Sequence, residues 1–168
     1  LRNMSEELQL KIEEFLLKNG SKGKVSELVT LTGGASAETW SFTFSSKNTS
    51  ERMILRRGSG KRSPLAVLKS EEAVIQQKVK SSGAPVPTIV AISSGDKDLG
   101  DAYLMRLIPG ESIARKILRD KEFSAARQRL AFQCGEAVAE IHSVKLEDFN
   151  QVPKKPMSVE LKRLYLTY

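Results

Sequence analysis

Two glycines, Gly33 and Gly34, followed by Ala35 and Ser36, sit in a short turn between two strand-like runs. Val25, Leu28, Val29 and Leu31 precede the turn, and Trp40, Phe42 and Phe44 alternate with polar residues after it. So little side-chain bulk leaves backbone N–H groups open to an anion such as a phosphate. An ordinary hairpin turn needs glycine just as much, so the turn alone leaves both readings open. Other reactive groups are sparse. A single cysteine, Cys134, and a single histidine, His142, argue against a disulfide framework and against a Cys/His zinc site.

The elements that must position this turn follow from periodicity. Residues 5–18 read as a helix capped by Ser5, with Leu8, Ile12, Phe15 and Leu16 at helical spacing and Asn19-Gly20 as its stop. Strands are predicted at about 25–32, 38–45 and 51–57, forming an antiparallel meander. A glycine-serine-basic loop follows from Gly58 to Pro64. A helix is predicted over 65–81, with Leu68, Val74, Ile75 and Val79 as its apolar positions, and Gly83-Ala84-Pro85-Val86-Pro87 ends it. Strands at about 88–93 and 102–107 come next, then helices at 112–119 and 123–142. The last of these carries Phe123, the stem of Arg127, Leu130, Cys134, Val138 and Ile141 on one stripe, expected to be buried. Residues 159–168 are again helix-like. Strands give way to helices near Pro109-Gly110, which divides the chain into 1–108 and 109–168. The first residue is Leu1, and Tyr168 falls inside a helical pattern, so the reading expects part of a longer protein.

The 168 residues are 40% hydrophobic and 28% charged, which fits a soluble globular protein. No apolar run approaches the roughly 18–20 residues of a membrane span. Met4 to Lys18 is amphipathic and does not read as a signal peptide, and one cysteine suits a reducing, cytoplasmic setting. The net charge of +7 admits a basic nucleic-acid-binding module as an alternative. The basic residues are dispersed, however, with modest clusters such as Arg52-Arg56-Arg57-Lys61-Arg62. No aromatic-rich RNA-binding strand and no recognition-helix pattern accompanies them, so a nucleic-acid partner is disfavoured.

Six pieces in order carry a family resemblance. They are Leu31-Thr32-Gly33-Gly34-Ala35-Ser36, Met53-Ile54-Leu55-Arg56-Arg57, Glu71-Glu72-Ala73-Val74-Ile75, Gly83-Ala84-Pro85-Val86-Pro87, Tyr103-Leu104-Met105-Arg106-Leu107-Ile108-Pro109-Gly110 and Ala139-Glu140-Ile141-His142-Ser143-Val144. With them the chain resembles the first part of an aminoglycoside phosphotransferase-family enzyme, in the choline-kinase-like, protein-kinase-like superfamily. The subgroup linked to acyl-CoA dehydrogenases is the most similar. The resemblance implies an α+β fold: a kinase-like N-terminal lobe, with a five-stranded antiparallel sheet plus a helix, leading into a helical C-terminal lobe.

It also implies an ATP- or GTP-dependent phosphotransferase acting on a small-molecule hydroxyl, with Mg²⁺. The expected nucleotide-binding set is Gly33, Gly34, Ala35, Ser36, Ile54, Arg56, Glu71, Met105, Arg106 and Leu107. Side chains alternate along a strand, so Ile54 and Arg56 share one face, toward base and phosphates respectively. Met53, Leu55 and Arg57 share the other. Relatives usually place a lysine where Arg56 stands; arginine keeps the charge but is longer and planar. Glu71 matches the helix acid that pairs with this cation, with a first-turn helix-dipole role as the alternative. Glu72 would point about 100° away. Backbone groups of Met105, Arg106 and Leu107 would read the purine edge. His142 matches a structural histidine. No Asp stands in a catalytic-loop context: Asp96, Asp98, Asp101, Asp120 and Asp148 all read as turn or loop residues. Catalytic residues and Mg²⁺ ligands are therefore expected beyond Tyr168, and residues 1–168 alone are expected not to transfer phosphate. A kinase-like protein without catalysis is the further alternative, and the oligomeric state is left open.

Overall fold

The computed structural model describes residues 4–31, 37–58, 67–97, 99–149 and 158. The glycine turn at 33–36, the basic loop after Gly58, the first two residues of the helix predicted over 65–81 and the helix-like run at 159–168 lie outside the described residues. The elements are α1 (Met4–Lys18), β1 (Lys24–Thr30), β2 (Ala37–Ser45), β3 (Ser50–Gly58), α2 (Lys69–Ser81), β4 (Ile89–Asp96), β5 (Gly100–Arg106), α3 (Ala114–Arg119) and α4 (Ser124–His142). Short 3₁₀ turns at Lys121–Phe123 and Leu146–Phe149 flank α4.

The five strands form one antiparallel sheet in the order β1-β2-β3-β5-β4. The period-two alternation sorts its side chains onto two faces. On the outer face, Phe42, Phe44, Met53, Leu55, Ala102 and Leu104 form the main core with Leu8, Ile12, Phe15 and Leu16 of α1. These helix positions are spaced so that one stripe of α1 meets the sheet. Its end is set by Asn19, whose side chain donates to the Phe15 carbonyl at 2.8 Å, and by Gly20 at a φ of +83°. The turn into β1 then passes hard against β2. A Cβ on Gly23 would stand 2.5 Å from the Ser45 carbonyl oxygen and 2.6 Å from the Phe44 ring. Only glycine fits there.

On the inner face, α2 approaches closely because its contact residue is Ala73, which packs fully buried against Ile89 and Tyr103. Met105 and Ile92 border this smaller cluster. The helix begins at Lys69 because its first N–H groups find partners there. Asp101, on β5, accepts from the Lys69 N–H at 2.7 Å and from the Ser70 N–H and hydroxyl at 2.9 Å each. Asp96 and Asp101, expected in turns, are both strand residues.

The α4 stripe departs from expectation. Leu130, Val138 and Ile141 are each more than two-fifths exposed, Cys134 is exposed, and no α4 residue is buried. Described hydrogen bonds tie α4 to its neighbours at both ends. At its start, Arg127 donates to the Ile117 and Asp120 carbonyls at 2.8 Å, tying down α3. Near its end, the Glu140 carbonyl lies 3.3 Å from the Ser82 hydroxyl, which donates mainly to the Val79 carbonyl at 2.7 Å.

Candidate nucleotide-phosphate site

Strand β3 delivers Arg56 to the inner face. Its register sets Arg56 between Thr39 of β2 and Tyr103 of β5. Arg57, one residue on, lies on the outer face and donates through Nε to Glu38, its cross-strand partner, at 3.0 Å. The alternation expected for Met53 to Arg57 is therefore the one observed.

The acid that meets Arg56 is Glu72, not Glu71. Arg56 Nη1 lies 3.2 Å from Glu72 Oε1. Glu71 instead turns back on its own helix, where its Oε2 accepts the Leu68 N–H at 3.0 Å. The reason is helical phase. Lys69 and Ala73 are the buried residues of the first turns of α2, and Glu72 shares their face. Glu71 stands about 100° round the axis and does what a first-turn acid does: it satisfies an orphan N–H at the positive end of the helix. The expected Arg56–Glu71 pair is thus replaced by Arg56–Glu72.

Glu72 is the hub of a small network. Its Oε1 also accepts the Tyr103 hydroxyl at 2.7 Å, and its Oε2 accepts Lys69 Nζ at 2.5 Å. Gln76, one turn further along α2, donates to the Tyr103 oxygen at 2.9 Å. Burial would raise the pKa of the Glu72 carboxyl. The Lys69 and Tyr103 hydrogen bonds and the charges of Arg56 and Lys69 outweigh it and hold the carboxyl below its ordinary value. The Tyr103 phenol is pushed up to about 12, first by burial and then by its hydrogen bond to Glu72. Two cations share one carboxylate, which leaves the cluster one positive charge in excess. Arg56 Nε is buried and has no hydrogen-bond partner among the described residues.

Ile54 and Met105, directly opposed in the β3–β5 register, form an apolar shelf beside Arg56 on the same face. The Arg106 side chain points the other way, to Glu51 at 3.0 Å. The N–H groups of Arg106 and Leu107 are engaged with the carbonyls of Thr88 (2.9 Å) and Arg52 (3.0 Å). Gly33, Gly34, Ala35 and Ser36 lie outside the described residues. The strands flanking them run to the Arg56 end of the sheet, where Ala37 pairs with Gly58 and the Leu31 N–H reaches the Thr39 carbonyl at 2.8 Å. His142 is exposed at the last residue of α4.

The three described members of the basic cluster each have an acid partner; Lys61 and Arg62 lie outside the described residues. Arg52 lies 3.3 Å from Glu27 and donates to the Ser41 hydroxyl at 3.0 Å, while Arg56 and Arg57 have Glu72 and Glu38. Sequence reasoning missed Glu72, Tyr103, Lys69 and Asp101. The signal for the first was a polar stripe, Lys69, Glu72 and Gln76, running beside the small Ala73. Among the described residues no three His, Cys, Asp or Glu side chains gather to hold a metal ion, and no helix is long and apolar enough to cross a membrane.

Comparison with known proteins supplies the class. A model of the phosphotransferase enzyme family matches residues 27–161, a span that includes every site residue described above. No curated protein matches the chain. The chain belongs to the phosphotransferase enzyme family. Its antiparallel five-stranded sheet with the helix α2 on one face is the kinase-like N-terminal lobe of that family.

Proposed function

We propose that this chain forms the nucleotide-binding part of an ATP- or GTP-dependent phosphotransferase whose acceptor is a small-molecule hydroxyl. The observation that carries the reading is the Arg56–Glu72 pair on the inner face of the sheet, 3.2 Å apart. Phosphoryl transfer is largely positioning and charge neutralisation, so a fixed cation near the phosphates is the part a nucleotide lobe must supply. Arg56 has the donors and the excess charge for it. The Ile54–Met105 shelf suits the apolar face of a purine. With the Arg106 and Leu107 N–H groups committed to strand pairing, the base edge is read by carbonyls at that strand end and by the Ile108 N–H beyond it. The turn at 33–36 acts as the phosphate lid, since its flanking strands converge at the Arg56 end.

In this reading the lobes divide near Pro109-Gly110, and residues 109–168 begin the acceptor lobe. Mg²⁺, when bound, neutralises phosphate charge; no described residue of this chain is assigned to hold it. The test is the thermal stability of the chain with Mg-ATP and Mg-GTP. A ligand that binds only the native state raises its stability in a saturable way. Absence of any shift with either nucleotide would contradict the proposal. Duplex DNA or RNA is the counter-probe: binding that falls steeply with salt would favour a nucleic-acid module instead.

A further inference from the structure

Tyr103 is fully buried in the middle of the sheet, directly opposite Arg56. A phenylalanine would fill the same space, so the hydroxyl must serve something other than packing, because burying it has to be offset by hydrogen bonds. It makes two, and they run in one direction. Gln76 Nε2 donates to the phenol oxygen at 2.9 Å, and the phenol in turn donates to Glu72 Oε1 at 2.7 Å. That oxygen is the one Arg56 Nη1 approaches at 3.2 Å, while Lys69 holds the other. Tyr103 thus engages one carboxylate oxygen of Glu72 and Lys69 the other, so turning the carboxylate would break both contacts. Arg56 then has a single carboxylate oxygen to face and is held by one end of its fork.

We propose that Tyr103 is a positioning residue for Arg56, acting through Glu72 along the chain Gln76 → Tyr103 → Glu72 ← Arg56. Its hydroxyl decides which carboxylate oxygen meets the guanidinium and so aims the remaining Arg56 donors into the inner face. The consequence for nucleotide affinity rests on the reading that Arg56 holds nucleotide phosphates. The geometry does not.

The test separates the two. In the ¹⁵N-labelled chain, nuclear magnetic resonance reads rotation about the Arg56 Nε–Cζ bond from its side-chain signals, and calorimetry reads affinity for Mg-ATP. Tyr103→Phe keeps the ring and removes the hydroxyl. The expected result is rotation faster by about ten-fold or more and Mg-ATP affinity weaker by about ten-fold, the scale of one hydrogen bond to a charged group. A faster Arg56 rotation in a chain that binds no Mg-ATP upholds the positioning role and overturns the nucleotide reading. Unchanged Arg56 signals in a folded Tyr103→Phe chain overturn the positioning role. If that variant does not fold, the unaltered chain decides. Its Tyr103 hydroxyl proton should exchange about ten-fold or more slowly than that of an exposed tyrosine and should shift in Glu72→Gln. Exchange at the exposed rate overturns the proposal.

Discussion

Replacing Glu72 with glutamine strips one carboxylate from three donors at once, and the scale of the damage follows from their burial. Lys69 has a side chain only 10% exposed, while those of Glu72 and Arg56 are 26% and 31% exposed. Removing one partner of a fully buried ion pair costs about 3–5 kcal/mol, because the other charge is left unpaired. Water reaches part of this cluster, and the glutamine oxygen still accepts from one donor, so we expect Glu72→Gln to cost about 2 kcal/mol. Glu71→Gln is the matched control one residue away. Its amide oxygen can still accept the Leu68 N–H, and only the charge at the helix start is lost, worth about 0.5 kcal/mol. Urea unfolding of the two variants beside the unaltered chain gives both numbers. A double-mutant cycle with Arg56→Met should return a coupling of about 1 kcal/mol between positions 56 and 72 and none between 56 and 71. A Glu71→Gln cost equal to or above that of Glu72→Gln, or a coupling to position 71, would refute the phasing of α2 on which the site depends.

Three further outcomes are expected. Asp101→Ala frees the first two N–H groups of α2 and should cost about 1–2 kcal/mol by urea unfolding, a lost helix cap; an effect within error would mean that Asp101 does not anchor the helix. Gly23→Ala drives a methyl into the Ser45 carbonyl and the Phe44 ring and should cost about 1–3 kcal/mol, read as a lower thermal midpoint. The pH dependence has a defined sign. The Tyr103 phenol titrates at about 12 when folded against an ordinary value of about 10, so the unfolded chain loses its proton first. Its contribution, about 3 kcal/mol, is present below pH 10 and lost between pH 10 and 12. Glu72, held below its ordinary value, contributes above that value and is lost as pH falls through its folded one. Tyr103→Phe should flatten the alkaline limb relative to the unaltered chain, and an unchanged limb would contradict the burial and bonding of the phenol.

Much of the architecture was legible because it depends on short-range periodicity. Alternation placed all five strands within a few residues, and it sorted Arg56 and Arg57 to opposite faces, as the Arg57–Glu38 pair shows. The acid partner was not legible, since Glu71 and Glu72 are adjacent and the choice turns on helical phase. Phasing α2 on its apolar residues only partly succeeds: Val79 is buried as expected, but Leu68, Val74 and Ile75 are only half-buried, while Lys69 and Ala73 are buried. A face that meets a half-buried arginine and a buried tyrosine is chosen by charge as much as by apolar area. Asp101 escaped notice because its role is a long-range one, made on a helix 31 and 32 residues away in sequence. The α4 stripe was read correctly as apolar, but periodicity says nothing about what covers it.

The most direct test of the central claim, that the cation on β3 receives nucleotide phosphates, is calorimetric titration of Mg-ATP and Mg-GTP into the unaltered chain and into Arg56→Met. The account expects saturable binding of at least one nucleotide by the unaltered chain, weakened about ten-fold or more in the variant by loss of a charge-assisted contact. Equal affinity in both chains, or no binding to either, would contradict it.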